Sequence, residues 1–312
     1  MISVLLFLLL PLQGFGFLSF SPTPASVSSI ALRSTASPEE VAKKSNEGKL
    51  EVTSLEGNTW VFKLANVTVL LDPILDVLEW KGVKVVKNVM TNYKSDVDNP
   101  ALRQLAASTD VVAITQGIED HVHEETLAPL SKLLAPGTPV VAPPSAKEKL
   151  DKYFTAEQVR YISPGQQVTL STPKGAVEIL AAKGSQLGPP WKQHENAYLM
   201  RGEGCAESWD LFTEPHCNYS ARELSKLRAD VIVAPVVEER LLGFYTLVQG
   251  GDAAVKLAKL LHSKVFITGL DWWPEVTRTV LKSVGTVEGF GAKAEARGIK
   301  FIRPHPGEPV RF

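Results

Sequence analysis

Period-two strand patterns come first along this chain, strand and helix patterns alternate after them, and the same order then runs a second time. Few architectures accept that plan. Residues 49–54, 59–64 and 67–72 read as three strands separated by Glu56-Gly57-Asn58 and Ala65-Asn66 turns, an antiparallel meander. An apolar strand at 110–115 follows, then a helix over 124–134, a strand at 139–142 and a helix over 145–153. The second block has strands at 167–170, 177–182, 197–200 and 209–212. After them come a helix at 220–227, a strand at 230–235, a helix at 252–261, a strand at 264–267 and helices at 275–282 and 290–297. Two such halves can bury their apolar faces against each other and cover the outer faces with helices, which makes an α/β sandwich of two sheets.

The chain is 312 residues long, with 44% hydrophobic and 21% charged residues, enough to bury a sizeable core and incompatible with disorder throughout. Its 33 basic and 34 acidic residues leave a formal charge of -1, so no global field draws it to nucleic acid or to an anionic membrane. Cys205 and Cys217 are too few for a disulfide framework and lack the pairing of a zinc module, so they read as reduced thiols.

The first residues differ in kind from the rest. Residues 1–18 contain an apolar run, Val4 to Leu10, too short for a stable membrane span and suited to a signal-peptide core. Residues 19–45 are rich in Ser, Thr, Ala and Pro, hold Arg33, and keep their acids to the end, a transit-peptide composition. In series they resemble the bipartite presequence of algae with complex plastids, which implies a stromal domain over 46–312 with no membrane anchor after processing. A plain secretory signal and linker is the alternative.

Thr115-Gln116-Gly117-Ile118-Glu119-Asp120-His121-Val122-His123 follows an apolar strand and precedes a helix opened by Glu124 and Glu125. Strand end, polar loop and helix start is where α/β proteins gather catalytic groups. Asp120, His121 and His123 supply a carboxylate and two imidazoles, a ligand set suited to zinc, iron or manganese. The bland reading is helix capping by Asp120 and loop hydrogen bonds from the histidines.

This stretch resembles the T-H-x-H-x-D-H loop of the metallo-β-lactamase superfamily, whose fold is a four-layer αββα sandwich. Leu71-Asp72-Pro73 and Glu56-Gly57-Asn58 are similar to the ascorbate-6-phosphate-lactonase-like branch. Leu211-Phe212-Thr213-Glu214-Pro215-His216 takes the place of the family's F-T-G-D-T turn. The combination I-T-Q-x-x-x-D-H-x-H, L-G-P-P-W and E-P-H-C resembles a plant and algal chloroplast subgroup, and the likeness covers residues 50–310.

The pattern also breaks. The first two family histidines fall on Gln116 and Ile118, the third near Lys183-Gly184, and the last near Asp271. Isoleucine cannot coordinate, so an ordinary two-metal centre is not expected. The resemblance implies instead one divalent metal, zinc before iron or manganese, on some of Asp120, His121, His123, Glu214 and His216, or none. Asp72 is expected to orient a ligand from behind. Gln116, Trp191 and Asp271 are placed at the substrate pocket, and Asp120 or Glu119 is the candidate base. The implied activity is hydrolysis of a small ester, lactone or phosphoester. The rival is an inactive protein of the same fold that binds a ligand or a plastid protein in the old cleft.

Overall fold

The computed structural model describes residues 50–75, 78–80, 83–86, 93–186, 191–203, 209–269 and 281–312. The two presequence segments, Cys205 and Asp271 therefore lie outside the described residues. The expected meander is present as β1 (Glu51–Ser54), β2 (Trp60–Leu64) and β3 (Val67–Leu71), with antiparallel pairing of Trp60 to Leu71 and Glu51 to Lys63. Ala65 turns the chain between β2 and β3 in the left-handed region, at φ 56. A short hairpin follows, β4 (Leu78–Trp80) with β5 (Val83–Val86).

Helix α1 (Pro100–Ser108) starts where the Asn99 side chain accepts from the Leu102 N–H and Pro100 presets the first turn. Strand β6 (Val111–Ala113), helix α2 (Glu124–Leu133), strand β7 (Val140–Ala142), helix α3 (Lys147–Leu150) and strand β8 (Val159–Tyr161) complete the first half. The second half opens with β9 (Gln167–Thr172), β10 (Gly175–Lys183), β11 (Asn196–Gly202) and β12 (Leu211–Thr213). It continues through α4 (Ala221–Leu224), β13 (Val231–Val233), β14 (Glu238–Leu241), β15 (Tyr245–Val248), α5 (Asp252–Leu260) and β16 (Val265–Ile267). Last come β17 (Leu281–Val284), α6 (Val287–Glu295), β18 (Lys300–Ile302) and β19 (Pro309–Arg311).

Two seven-stranded sheets result, ordered β19-β1-β2-β3-β6-β7-β8 and β18-β16-β13-β12-β11-β10-β9. Alternation along the strands explains how both faces are buried. In β3, Val69 and Leu71 point between the sheets, where they join Phe62 and Val111 against Tyr198, Met200 and Val231, while Leu70 points outward. Outside the first sheet, Leu70, Val112 and Val140 pack on Leu102, Leu127 and Leu150 of the helices. Outside the second, Phe212, Ile232 and Phe266 pack on Leu224, Leu257 and Phe290. The four layers are helix, sheet, sheet, helix, as the resemblance implied. Each fully buried Leu or Phe in these layers contributes roughly 1.5–3 kcal/mol of transfer free energy.

The expected helix at 275–282 needs correction at its described end, because Leu281 and Lys282 belong to β17. That strand pairs with β14 (Leu281 to Leu241) in a small sheet ordered β15-β14-β17. Only Leu281 of the four is buried, so the segment carries little periodicity and pairing to β14 decides its state.

Candidate metal centre

Parallel strands of both sheets end at one edge, and the site forms there. Asp72 follows β3, Thr115 lies just beyond β6, Glu214 follows β12, Ala234 follows β13 and Thr268 follows β16. Within each sheet these neighbours are parallel, so their carboxyl ends open on a common cleft.

Asp72 organises the first side. It is fully buried at φ 43, a backbone region that costs a non-glycine residue energy and is held only by strong local contacts. Its Oδ1 accepts the Thr115 N–H at 2.7 Å, and its Oδ2 accepts the Thr115 hydroxyl at 2.5 Å and lies 2.8 Å from His121 Nδ1. A carboxylate only accepts, so this contact puts the proton of a neutral His121 on Nδ1 and leaves a lone pair on Nε2. The Asn58 amide nitrogen lies 3.3 Å from that Nε2 and donates to the Asp120 carbonyl at 3.0 Å.

Asp120, His121 and His216, all buried, bring one ligand atom each within 4.8 Å of one another. Asp120 Oδ2 stands 3.9 Å from His121 Nε2, and the His121 and His216 rings have centroids 5.7 Å apart. Burial disfavours charge on His121, but the Asp72 and Asp120 carboxylates outweigh it and raise the imidazole above its ordinary value. Burial, helped by the charge on His121, takes His216 down to about 3 and keeps it neutral. One carboxylate and two imidazoles match the three-ligand sets of catalytic zinc sites, which keep a further position open, so the donors fit one divalent ion.

His216 is held from behind. Gln116 Nε2 lies 2.7 Å from His216 Nδ1 and donates to Ser185 Oγ at 3.1 Å, while Ser185 Oγ is 3.3 Å from the same Nδ1. Gln116 is completely buried and does not reach the cavity wall; among the described residues its Oε1 has no hydrogen-bond partner. Rotating the amide would let Oε1 accept from Nδ1–H and free Nε2 of His216 for a ligand role. An adjoining node fixes the loop: Glu195 Oε2 accepts the Ser145 hydroxyl at 2.5 Å and the Gly117 N–H at 3.3 Å. A Cβ at Gly117 would meet Ser145 backbone atoms at 2.4 Å, so glycine is required there.

The other expected ligands are placed elsewhere. His123 begins α2, with Nδ1 2.8 Å from Thr126 Oγ1 and Nε2 3.7 Å from Glu125, and it stands outside the trio. Glu214 accepts the backbone N–H groups of Ser185, His216 and Asn218 at 3.2, 2.9 and 2.6 Å. Burial nevertheless pushes its carboxyl up to about 7. Its oxygens order the His216 turn. Cys217 is a buried free thiol that burial, with Glu214 behind it, raises well above its ordinary value.

Glu119 is exposed and absent from the cavity wall, one residue before Asp120. Trp191 is 78% exposed. Ile118 is buried with Leu241, Leu247, Val248 and Leu281 of the small sheet, in wholly apolar contacts.

A cavity of about 120 Å³ opens on two of the three, Asp120 and His216, and His121 stays behind its wall. Asp120 and His216 line it, with Asn58, Trp60, Leu71, Val236, Leu247 and Glu239 among the other walls. Asn58 lies in a quoted turn but carries no signal of its contacts, while Ser185 and Glu239 lie in no motif and were not foreseen.

Fold and trio together define an α/β sandwich with a metal-binding type of cleft where its sheets meet. The family described as Beta-lactamase superfamily domain matches residues 51–268, and the chain belongs to it. Among solved structures, Igni18, a metallo hydrolase from Ignicoccus hospitalis, is 17% identical with a TM-score of 0.56 over 85% of this chain and 98% of that one. An isothiocyanate hydrolase from Delia radicum gut bacteria is 15% identical, with a TM-score of 0.58 over 84% and 99%. CmlA, a diiron β-hydroxylase from Streptomyces venezuelae, is 14% identical, with a TM-score of 0.57 over 85% of this chain and 54% of that one. At these identities the likeness establishes the fold. No curated protein matches the sequence.

Proposed function

We propose that this chain is a metal-dependent hydrolase of a small ester, lactone or phosphoester, with one divalent ion, zinc before iron or manganese, on Asp120, His121 and His216. The observation that carries the reading is that the three donors converge where two of them, Asp120 and His216, line a cavity. A bound ion would supply Lewis acidity and lower the pKa of water toward neutrality. Asp72 holds the His121 tautomer, and the Gln116 amide with Ser185 positions His216. Asp120 is the proton acceptor in this scheme, because it lines the cavity and Glu119 does not. The apolar walls exclude bulk water and strengthen each electrostatic contact inside.

The presequence composition and the likeness to a chloroplast subgroup support work in the plastid stroma by a domain spanning 46–312. No helix among the described residues is long and apolar enough to cross a membrane. The rival, an inactive binding protein, draws support from Ile118, whose packing is wholly apolar.

Elemental mass spectrometry of the purified protein separates the two. The hydrolase reading expects about one zinc, iron or manganese per chain, lost in His121→Ala, and turnover in a panel of esters, lactones and phosphoesters. Absence of metal from both proteins would sink it and leave the rival standing.

A further inference from the structure

Three parts of the fold build the cavity, and what they bring to it is mostly carbon. Trp60 and Leu71 reach it from the first sheet, where they face each other across β2 and β3. Val233 reaches it from β13 of the second sheet, and Leu247 and Val248 from β15 of the small one. Val236, between β13 and β14, adds to the same wall. All six are buried, and Trp60, Leu71 and Val233 belong to the core cluster between the sheets. The cleft therefore continues the inter-sheet core up to Asp120 and His216, and its carbon walls favour a ligand that displaces water from them. Gly269 helps to keep the space open. It lines the cavity, and a Cβ there would meet the Trp60 ring at 3.3 Å, closer than ordinary van der Waals contact.

Charge on the wall favours an uncharged ligand. Among the described lining residues none is Lys or Arg, the side chains that ordinarily meet the non-reacting oxygens of a phosphoester. The acids are Asp120, one of the trio, and Glu239, whose carboxylate receives the Ser283 hydroxyl at 2.8 and 3.1 Å within the small sheet. An anionic ligand would face these acids with no base among the described walls. The other polar residues there, Asn58, Thr213 and Thr268, are uncharged. Size adds a limit. An apolar cavity of roughly 150 Å³ takes a benzene molecule, so about 120 Å³ takes roughly five carbons.

We propose that the cavity is an acyl site, which takes an uncharged carboxylic ester or lactone with its short aliphatic part among Trp60, Leu71, Val236, Leu247 and Val248. Resting on the hydrolase reading, this narrows it: the reacting carbonyl lies at Asp120 and His216, and phosphoesters are not substrates. Water gives its OH to the acyl carbon and its remaining H to the leaving oxygen, so the ester C–O bond breaks into an acid and an alcohol.

Ligand-observed NMR titration with linear primary carboxamides, propanamide to octanamide, tests the site without turnover, on protein of measured metal content before and after chelation. Affinity should rise about threefold to fourfold with each methylene, or ~0.8 kcal/mol, and level off near pentanamide. Butyl phosphate should bind the chelated protein more weakly than pentanamide. Val248→Phe fills part of the cavity and should weaken pentanamide roughly tenfold, with circular dichroism reporting that the variant is folded. Leu247→Ala should move the limit to longer chains. Should neither variant fold, the length series on the unaltered chain decides. The proposal is overturned if propanamide and pentanamide bind alike, if affinity climbs through octanamide without a limit, if butyl phosphate binds the chelated protein more tightly, or if folded variants keep the original series. A length limit in protein that holds no metal as purified would remove the hydrolase reading and keep the apolar site. Stoichiometric metal without any length dependence would do the reverse.

Discussion

Two sides of one short loop have gone opposite ways. Ile118 turns into an apolar cluster with Leu241, Leu247, Val248 and Leu281, whereas Asp120 and His121, two and three residues on, turn toward Asp72, Asn58 and His216. The difference lies in what surrounds each side. A buried imidazole needs a partner or a metal for each nitrogen, and the aliphatic cluster offers neither, so isoleucine suits that place. On the other side, the donors around Asp72 leave no room for an apolar residue without orphaning them. The loop therefore anchors the small sheet with one face and keeps its ligand chemistry on the other. Leu247 and Val248 serve both ends, because they pack on Ile118 and also line the cavity.

This contrast breaks most readily at Asp72. Asp72→Ala removes the acceptor for the Thr115 N–H, the Thr115 hydroxyl and His121 Nδ1 together, and should cost about 3–5 kcal/mol in denaturant unfolding. A loss below 1 kcal/mol would mean that the polar side is not held by this carboxylate. Ile118→Ala attacks the apolar side and should cost about 2–4 kcal/mol. Metal content should survive this change and fall in His121→Ala, and a variant at 118 that sheds its metal would erase the distinction between the faces. Gln116→Leu sharpens the comparison with the smallest change in stability, within about 1 kcal/mol, because it removes the orphaned Oε1 together with the bonds to Ser185 and His216. Its expected effect is on His216: metal affinity should weaken roughly tenfold to a hundredfold, measured by competition with a chelator.

Much of the fold was legible because its strands alternate cleanly and its apolar segments are spaced for two layers. The meander, the strand before Gln116 and the helix after His123 follow from that periodicity. Helix α1 was missed although Asn99-Pro100 is a start signal, because its buried Leu102, Leu105 and Ala106 make only a short stripe. Strands β14, β15 and β17 carry weak patterns, and their state depends on one another and on Ile118. In the site, Asp120, His121 and His123 were recognisable as polar residues at a strand end, and Glu214 and His216 through the resemblance of their turn. Which of them meet was not, since Glu214 and His216 are about a hundred residues away from the loop they approach.

By itself the sequence determined the two-sheet plan and the position of the polar loop, because periodicity and residue chemistry are local properties. Only the tertiary structure decided that His216 joins Asp120 and His121, that His123 turns to Thr126 and Glu214 to backbone N–H groups, and that Glu239 enters the cavity wall. Those outcomes depend on the direction of each side chain once strands from both sheets end at one edge, and direction is settled by packing across long sequence separations.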